Sequence, residues 1–102
     1  MNKEVILWEI MVPTVSNDGK PYRTRYHRVW DEKVRGISGG LTIMKPAVGQ
    51  WLSNDNELFK ERMIPVRIAC TELEIDKIID MTMKYYDQLA VMAYVISERV
   101  II

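Results

Sequence analysis

The chain has 102 residues, 48% of them hydrophobic and 27% charged, which excludes a disordered or fibrous protein and allows one domain, residues 1–102, around one core. Its 14 basic residues balance 14 acidic ones, so no overall field draws it to nucleic acid or an anionic membrane, and little repulsion opposes self-association. Cys70 is the single cysteine and His27 the single histidine, so no intrachain disulfide and no zinc site is expected.

Glu4–Val12 is rich in β-branched and aromatic residues with no breaker before Pro13, and reads as a first strand. Its few apolar residues, interrupted by Glu9, are too short and too charged for a signal peptide, and no stretch approaches a membrane span; an intracellular, cytoplasmic protein is expected. Asn17-Asp18-Gly19 turns the chain. From Pro21 the period changes: Tyr22, Tyr26, Val29, Trp30, Val34 and Ile37 fall on one face of a helix. Pro21 suits the first turn, and Gly36, Gly39 and Gly40 supply a stop. The other face carries Arg23, Arg25, Arg28, Lys33 and Arg35. It is either solvated, with Asp31 and Glu32 as counterions, or an anion or nucleotide phosphate contact.

Leu41–Lys45 starts a second strand that Pro46 bends or confines to an edge. After Gly49-Gln50-Trp51 and a polar turn at Ser53–Glu57, Leu58–Cys70 returns as the third strand, with Pro65 marking a bulge or an unpaired position. Thr71 and Glu74 form a capping box ahead of a second helix, whose stripe is Ile75, Ile78, Ile79, Thr82 and Tyr86. Ala90–Ser97 is a near-continuous apolar run, as expected of a central strand, and Glu98–Ile102 extends it.

The order β-α-β-β-α-β specifies an α+β fold of ferredoxin-like type: a four-stranded antiparallel sheet with two helices on one face. The other sheet face has no helix, and Trp8, Met11, Trp51, Met63 and Met92 would leave it apolar. A homo-oligomer is expected, with a trimer favoured. The hairpin from Gly39 to Cys70 holds the candidate site. Gly49 allows a ligand or another backbone to approach beside Trp51. Glu61 and Arg62 are neighbours on a strand and point to opposite faces, so one must meet a packed side or an interface, where an unpaired charge is costly. They form either a cross-strand or intersubunit salt bridge or, at Glu61, a ligand-binding carboxylate. His27 lies beside the apolar stripe of the first helix, at its rim.

The layout is similar to the small trimeric ferredoxin-like proteins of copper tolerance and nitrogen-regulatory signalling. In Arg23–Arg28, Gly49-Gln50-Trp51 and Glu61 ahead of Val66-Arg67-Ile68 it also resembles the phage-encoded S-adenosylmethionine hydrolase/lyase family. That family's usual tyrosine is replaced here by Trp51, and its longer tail is missing. The resemblance implies cleavage of S-adenosylmethionine to methylthioadenosine and homoserine lactone at sites between subunits, with no cofactor. It implies Glu61 as the catalytic residue holding the substrate's polar end, and Trp51 lining the nucleoside. Arg62 and His27 are further substrate-binding candidates, and Glu98 would stand in for a second carboxylate from a neighbouring chain. The alternative is a non-enzymatic ferredoxin-like oligomer that binds a nucleotide-like small molecule or a partner protein.

Overall fold

The computed structural model describes residues 5–101, so the ends of the expected first strand (Glu4) and of the apolar tail (Ile102) lie outside the described residues. The elements are β1 (Ile6–Pro13), α1 (Thr24–Ser38), β2 (Thr42–Ile43), β3 (Ala47–Leu52), β4 (Leu58–Cys70), α2 (Glu72–Tyr85) and β5 (Ala93–Ser97). The sheet runs β2-β4-β1-β5, with β3 also paired to β4, and every pairing is antiparallel.

Five strands are present instead of the expected four because one strand is interrupted. Thr42 and Ile43 pair with Arg67 and Val66, and pairing resumes only at Ala47 opposite Met63. Three residues, Met44 to Pro46, thus stand opposite two, Ile64 and Pro65. Pro46 has no N–H to give the ladder, and the extra residue is taken up as a bulge. The bulge therefore belongs to the β2–β3 side, while Pro65 keeps its register with Met11 on β1. Taken as one strand, β2 and β3 complete the ferredoxin-like order.

Helix α1 starts later than its apolar period suggests. Pro21 forms an isolated bridge with Val15, and the Tyr22 N–H donates to the Thr14 carbonyl at 3.0 Å. That closes the loop before the helix can begin, and Arg23 becomes its N-cap without a side-chain cap. The stop is Gly39, at φ 93°, which donates to the Arg35 carbonyl. Gly36 stays inside the helix. In α2 the capping box forms in both directions. The Thr71 hydroxyl accepts from the Glu74 N–H at 3.2 Å, and the Glu74 carboxylate accepts from the Thr71 N–H at 2.9 Å.

The core lies between the helices and one sheet face. Ile10, Val12, Val66, Ile68 and Cys70 meet Trp30 and Val34 from α1, Ile75 and Ile78 from α2, and Tyr86 at the C-cap of α2. Inside it, Trp30 Nε1 donates to Thr82 Oγ1 at 2.9 Å, and Thr82 donates its own proton to the Ile78 carbonyl at 2.6 Å. Two expectations are corrected. Trp8 packs against this core, in register with Ile68, and does not belong to the open face with Met11. The last strand is an edge strand, not a central one; it spans only Ala93–Ser97, leaving Val95 and Ile96 partly exposed.

Candidate functional site

The helices cover only part of the sheet, and the β3–β4 hairpin projects beyond them. Its turn is tied by Ser53 N–H to Glu57 O at 2.9 Å and by Asn56, at φ 61°, to Ser53 O. Register assigns the side chains. Ala47–Met63, Gly49–Glu61 and Trp51–Phe59 face pair by pair onto the open side, and Val48–Arg62, Gln50–Lys60 and Leu52–Leu58 onto the other. Opposite Glu61 there is thus no side chain, only Gly49. A Cβ at Gly49 would sit 2.9 Å from Met63 Cε and 3.1 Å from Trp51 Nε1. The missing side chain lets the indole fold back over the strand at Gly49.

Around these residues lies a pocket of about 500 Å³, a size that suits a small-molecule ligand. Trp51, Glu61, Arg62 and Met63 wall it from the hairpin, Met11 and Pro13 from β1, and Met92 from the segment entering β5. The loop after β1 closes one side. Thr14 Oγ1 donates to the Arg62 carbonyl at 2.8 Å, and Asn17 Nδ2 donates to the Asp87 carbonyl at 2.8 Å, fastening that loop to the end of α2. The pocket is therefore mixed: Met11, Pro13, Trp51, Met63 and Met92 give it apolar wall, while Glu61, Lys60, Arg62 and polar loop residues line the rest.

Three of the candidate residues, Trp51, Glu61 and Arg62, meet in this pocket. Both members of the charged pair are exposed, because the far half of the hairpin has no second layer over it. The expected cost of a charge on a packed face does not arise within one chain. Among the described residues neither Glu61 nor Arg62 makes an ion pair. His27 lies elsewhere, between the helices, its Nδ1 2.6 Å from the Tyr86 hydroxyl. Burial lowers its pKa below the ordinary histidine value, partly opposed by Asp31, and burial pushes the Tyr86 hydroxyl up. Glu98 is exposed, past the end of β5, and does not line the pocket.

One charged group on the open face escaped the sequence reading. Glu9 is 7% exposed in the middle of β1. It accepts from Arg67 Nε at 3.0 Å and from the Tyr94 hydroxyl, its cross-strand partners on either side. The hydrogen bond to Glu9, followed by burial, raises the Tyr94 pKa. The signal was available: strict alternation through Trp8-Glu9-Ile10 sends Glu9 to the helix-free face. Its partners come from strands more than 50 residues away in sequence. Among the described residues no group of three or more His, Cys, Asp or Glu is placed to hold a metal ion, and no helix is long and apolar enough to cross a membrane.

No protein-family model and no curated protein matches the sequence. Solved structures match the fold over nearly the whole chain. A phage SAM lyase in complex with S-methyl-5'-thioadenosine superposes with a TM-score of 0.69 at 12% identity, covering 96% of this chain and 84% of that one. CutA from the plant pathogen Xylella fastidiosa gives 0.71 at 11% identity, covering 98% and 88%. A divalent cation tolerance protein, CutA1 of Thermus thermophilus, gives 0.63 at 10% identity, covering 88% and 82%. The α+β ferredoxin-like fold is thus shared with both groups, as the resemblance implied.

Proposed function

We propose that the protein is an S-adenosylmethionine lyase, acting in the cytoplasm as a homo-oligomer, a trimer by preference, with the hairpin pocket completed by a neighbouring subunit. The observation that carries the reading is the meeting of Trp51 and Glu61 in one pocket where the hairpin leaves the body of the domain. The fold shared with a phage SAM lyase is consistent with it.

The reaction asks little of the protein. A carboxylate oxygen of the substrate attacks the carbon beside the sulfonium; the new C–O bond closes the lactone as the C–S bond breaks. The electron pair goes to sulfur, which leaves as the neutral thioether of methylthioadenosine, and no proton moves. Two opposite charges are consumed, so removal from water and a fixed near-attack geometry provide the help. Glu61 holds the substrate ammonium and so fixes the direction of the attacking carboxylate. Trp51 supplies an aromatic wall for the nucleoside and for the sulfonium, which a ring face attracts. Arg62 lies at the rim. The second carboxylate is Glu98 of the adjacent subunit, which is exposed and free to reach across a boundary.

The test is incubation with S-adenosylmethionine and chromatographic detection of methylthioadenosine. Product is expected from the native chain, and Glu61→Gln should lower its formation about 10²-fold, the cost of a misplaced reactant, without changing the oligomer. No product from an intact oligomer sinks the reading. The second reading, a non-enzymatic oligomer binding a nucleotide-like molecule or a partner protein, draws on the exposed apolar side of the hairpin at Val48, Leu52 and Leu58. It would be favoured by binding of methylthioadenosine without turnover.

A further inference from the structure

The two sides of β4 are unequally occupied. On one side β3 pairs with it from Leu58 to Met63, but on the other β1 pairs only with Met63–Cys70. Past Pro13 the chain turns away into the Thr14–Asn17 loop, so Leu58–Arg62 keeps a bare edge. Backbone groups point to alternate sides along an antiparallel strand, and two hydrogen bonds fix their sense here. Met44 N–H donates to the Pro65 carbonyl at 2.9 Å, so odd-numbered residues of β4 turn toward β2 and β3. Thr14 Oγ1 donates to the Arg62 carbonyl from the opposite side. Leu58 and Lys60 therefore hold both N–H and C=O toward the bare edge, where no described residue pairs with them.

Strand β5 has the matching lack. It ends the sheet order β2-β4-β1-β5, so one of its sides is unpaired among the described residues. Met11 N–H donates to the Met92 carbonyl at 3.0 Å, which turns Met92 and Tyr94 toward β1 and leaves Ala93 and Val95 facing outward. Each bare edge thus offers a donor and an acceptor at two positions two residues apart: Leu58 and Lys60 on β4, Ala93 and Val95 on β5. The β5 sequence AYVIS holds no charge and no proline to keep another strand away. Exposed apolar side chains flank both edges, Leu58 and Phe59 on one, Val95 and Ile96 on the other. Within one chain β1 lies between the two edges, so they cannot meet each other.

We propose that β5 of a second copy of this chain pairs with the bare edge of β4 at Leu58–Arg62, continuing the sheet from one subunit into the next and closing the hairpin pocket. Lys60, Glu61 and Arg62 line that pocket, so the added strand becomes its missing wall. Glu98, next after Ser97 at the end of β5, travels with that strand to the hairpin. Pairing of two different edges is heterologous: each copy gives one edge and receives one, and a ring that closes leaves neither bare. The proposal rests on the homo-oligomer part of the proposed function and not on the lyase activity.

The test uses the full chain. Sedimentation gives its association state, and hydrogen–deuterium exchange is read at the Lys60 and Val95 amides, which face the two edges. Both should exchange at least about tenfold more slowly in the associated protein than in the diluted, dissociated chain. Lys60→Pro and Val95→Pro each remove an edge N–H that the chain's own ladder does not use, a position where a strand tolerates proline. Each variant is expected to keep the native circular dichroism and to associate about tenfold more weakly or worse. Mixed, the two should recover a pair of unlike chains, since each keeps the edge that the other lacks. If either variant unfolds, exchange in the native protein decides. A native monomer, free exchange at both amides in the associated protein, undiminished association of both variants, or no pairing in the mixture would each overturn the proposal. Turnover is scored separately: methylthioadenosine from a chain whose edges exchange freely overturns the strand pairing alone, and protected edges without methylthioadenosine support it while sinking the lyase reading.

Discussion

Strand β4 passes through two environments, and the contrast between its ends explains the molecule. At its C-terminal end Val66, Ile68 and Cys70 are at most 1% exposed, sandwiched against α1 and α2. At its N-terminal end Leu58 and Phe59 are more than half exposed, as are their neighbours Val48 and Leu52 on β3. The residue types are alike; what differs is whether a second layer lies across them. Apolar character decides that a segment will be buried by something, and the helices' reach decides whether that something is its own chain. The hairpin is left as a paired but uncovered ribbon, and the candidate pocket forms where ribbon meets body.

The largest expected effect separates the two ends. Ile68→Ala should cost about 2–5 kcal/mol in denaturant unfolding, the range for emptying a packed site. Leu52→Ser should change the unfolding free energy of the dissociated chain by no more than about 0.5 kcal/mol. Its effect should fall on self-association, measured by sedimentation; a loss like that of Ile68→Ala would mean that the ribbon is covered within the chain. Next comes Thr82→Val, which leaves the Trp30 indole N–H buried with no acceptor. A loss of about 1–3 kcal/mol is expected, whereas Thr14→Val, removing the exposed bond to the Arg62 carbonyl, should cost less than half as much.

On the ribbon, Gly49→Ala should act on geometry more than on stability. The new methyl group would displace Met63 and Trp51. Acrylamide quenching of tryptophan fluorescence should rise as the indole lifts away, with unfolding altered by about 1 kcal/mol or less. Unchanged quenching would show that the Met63 side chain alone absorbs the contact. The smallest effect concerns pH and belongs to the covered half. His27 has a lowered pKa in the folded protein because burial disfavours its charged form. The unfolded chain therefore takes up the proton first, and stability that is complete above about pH 6.5 declines as pH falls below that value. Chemical denaturation at about pH 7.5 and 5.5 should reveal this slope, flattened in His27→Gln. An equal slope in the variant would assign it to other groups; Asp31, whose pKa burial raises, acts in the opposite sense and at lower pH.

Much of this was legible residue by residue. Apolar spacing in β4 and α2, the Thr71–Glu74 box and the turn at Ser53–Glu57 are local signals, and local geometry obeys them. At Gly49 the expectation was a ligand or another backbone approaching beside Trp51; the space is taken instead by the chain's own Met63 and Trp51 side chains, a contact that strand alternation alone does not reveal. The start of α1 was misread because its apolar period continues through Tyr22, while a bridge from Pro21 to Val15, invisible to periodicity, holds that residue in the loop. The apolar run at Ala90–Ser97 was read as central because hydrophobicity reports burial and not position in the sheet.

By itself, then, the sequence determined element types and their order, because these depend on spacing and on near neighbours. Only the tertiary structure decided that Glu9 is enclosed by Arg67 and Tyr94, that Trp51 and Glu61 share a pocket while His27 and Glu98 lie outside it, and that Tyr22, Tyr26 and Tyr85 stack on one another between α1 and the end of α2. Each of those depends on how far the helices reach over the sheet and which strands become neighbours. Contacts between residues distant in the chain settle both, and no local pattern encodes them.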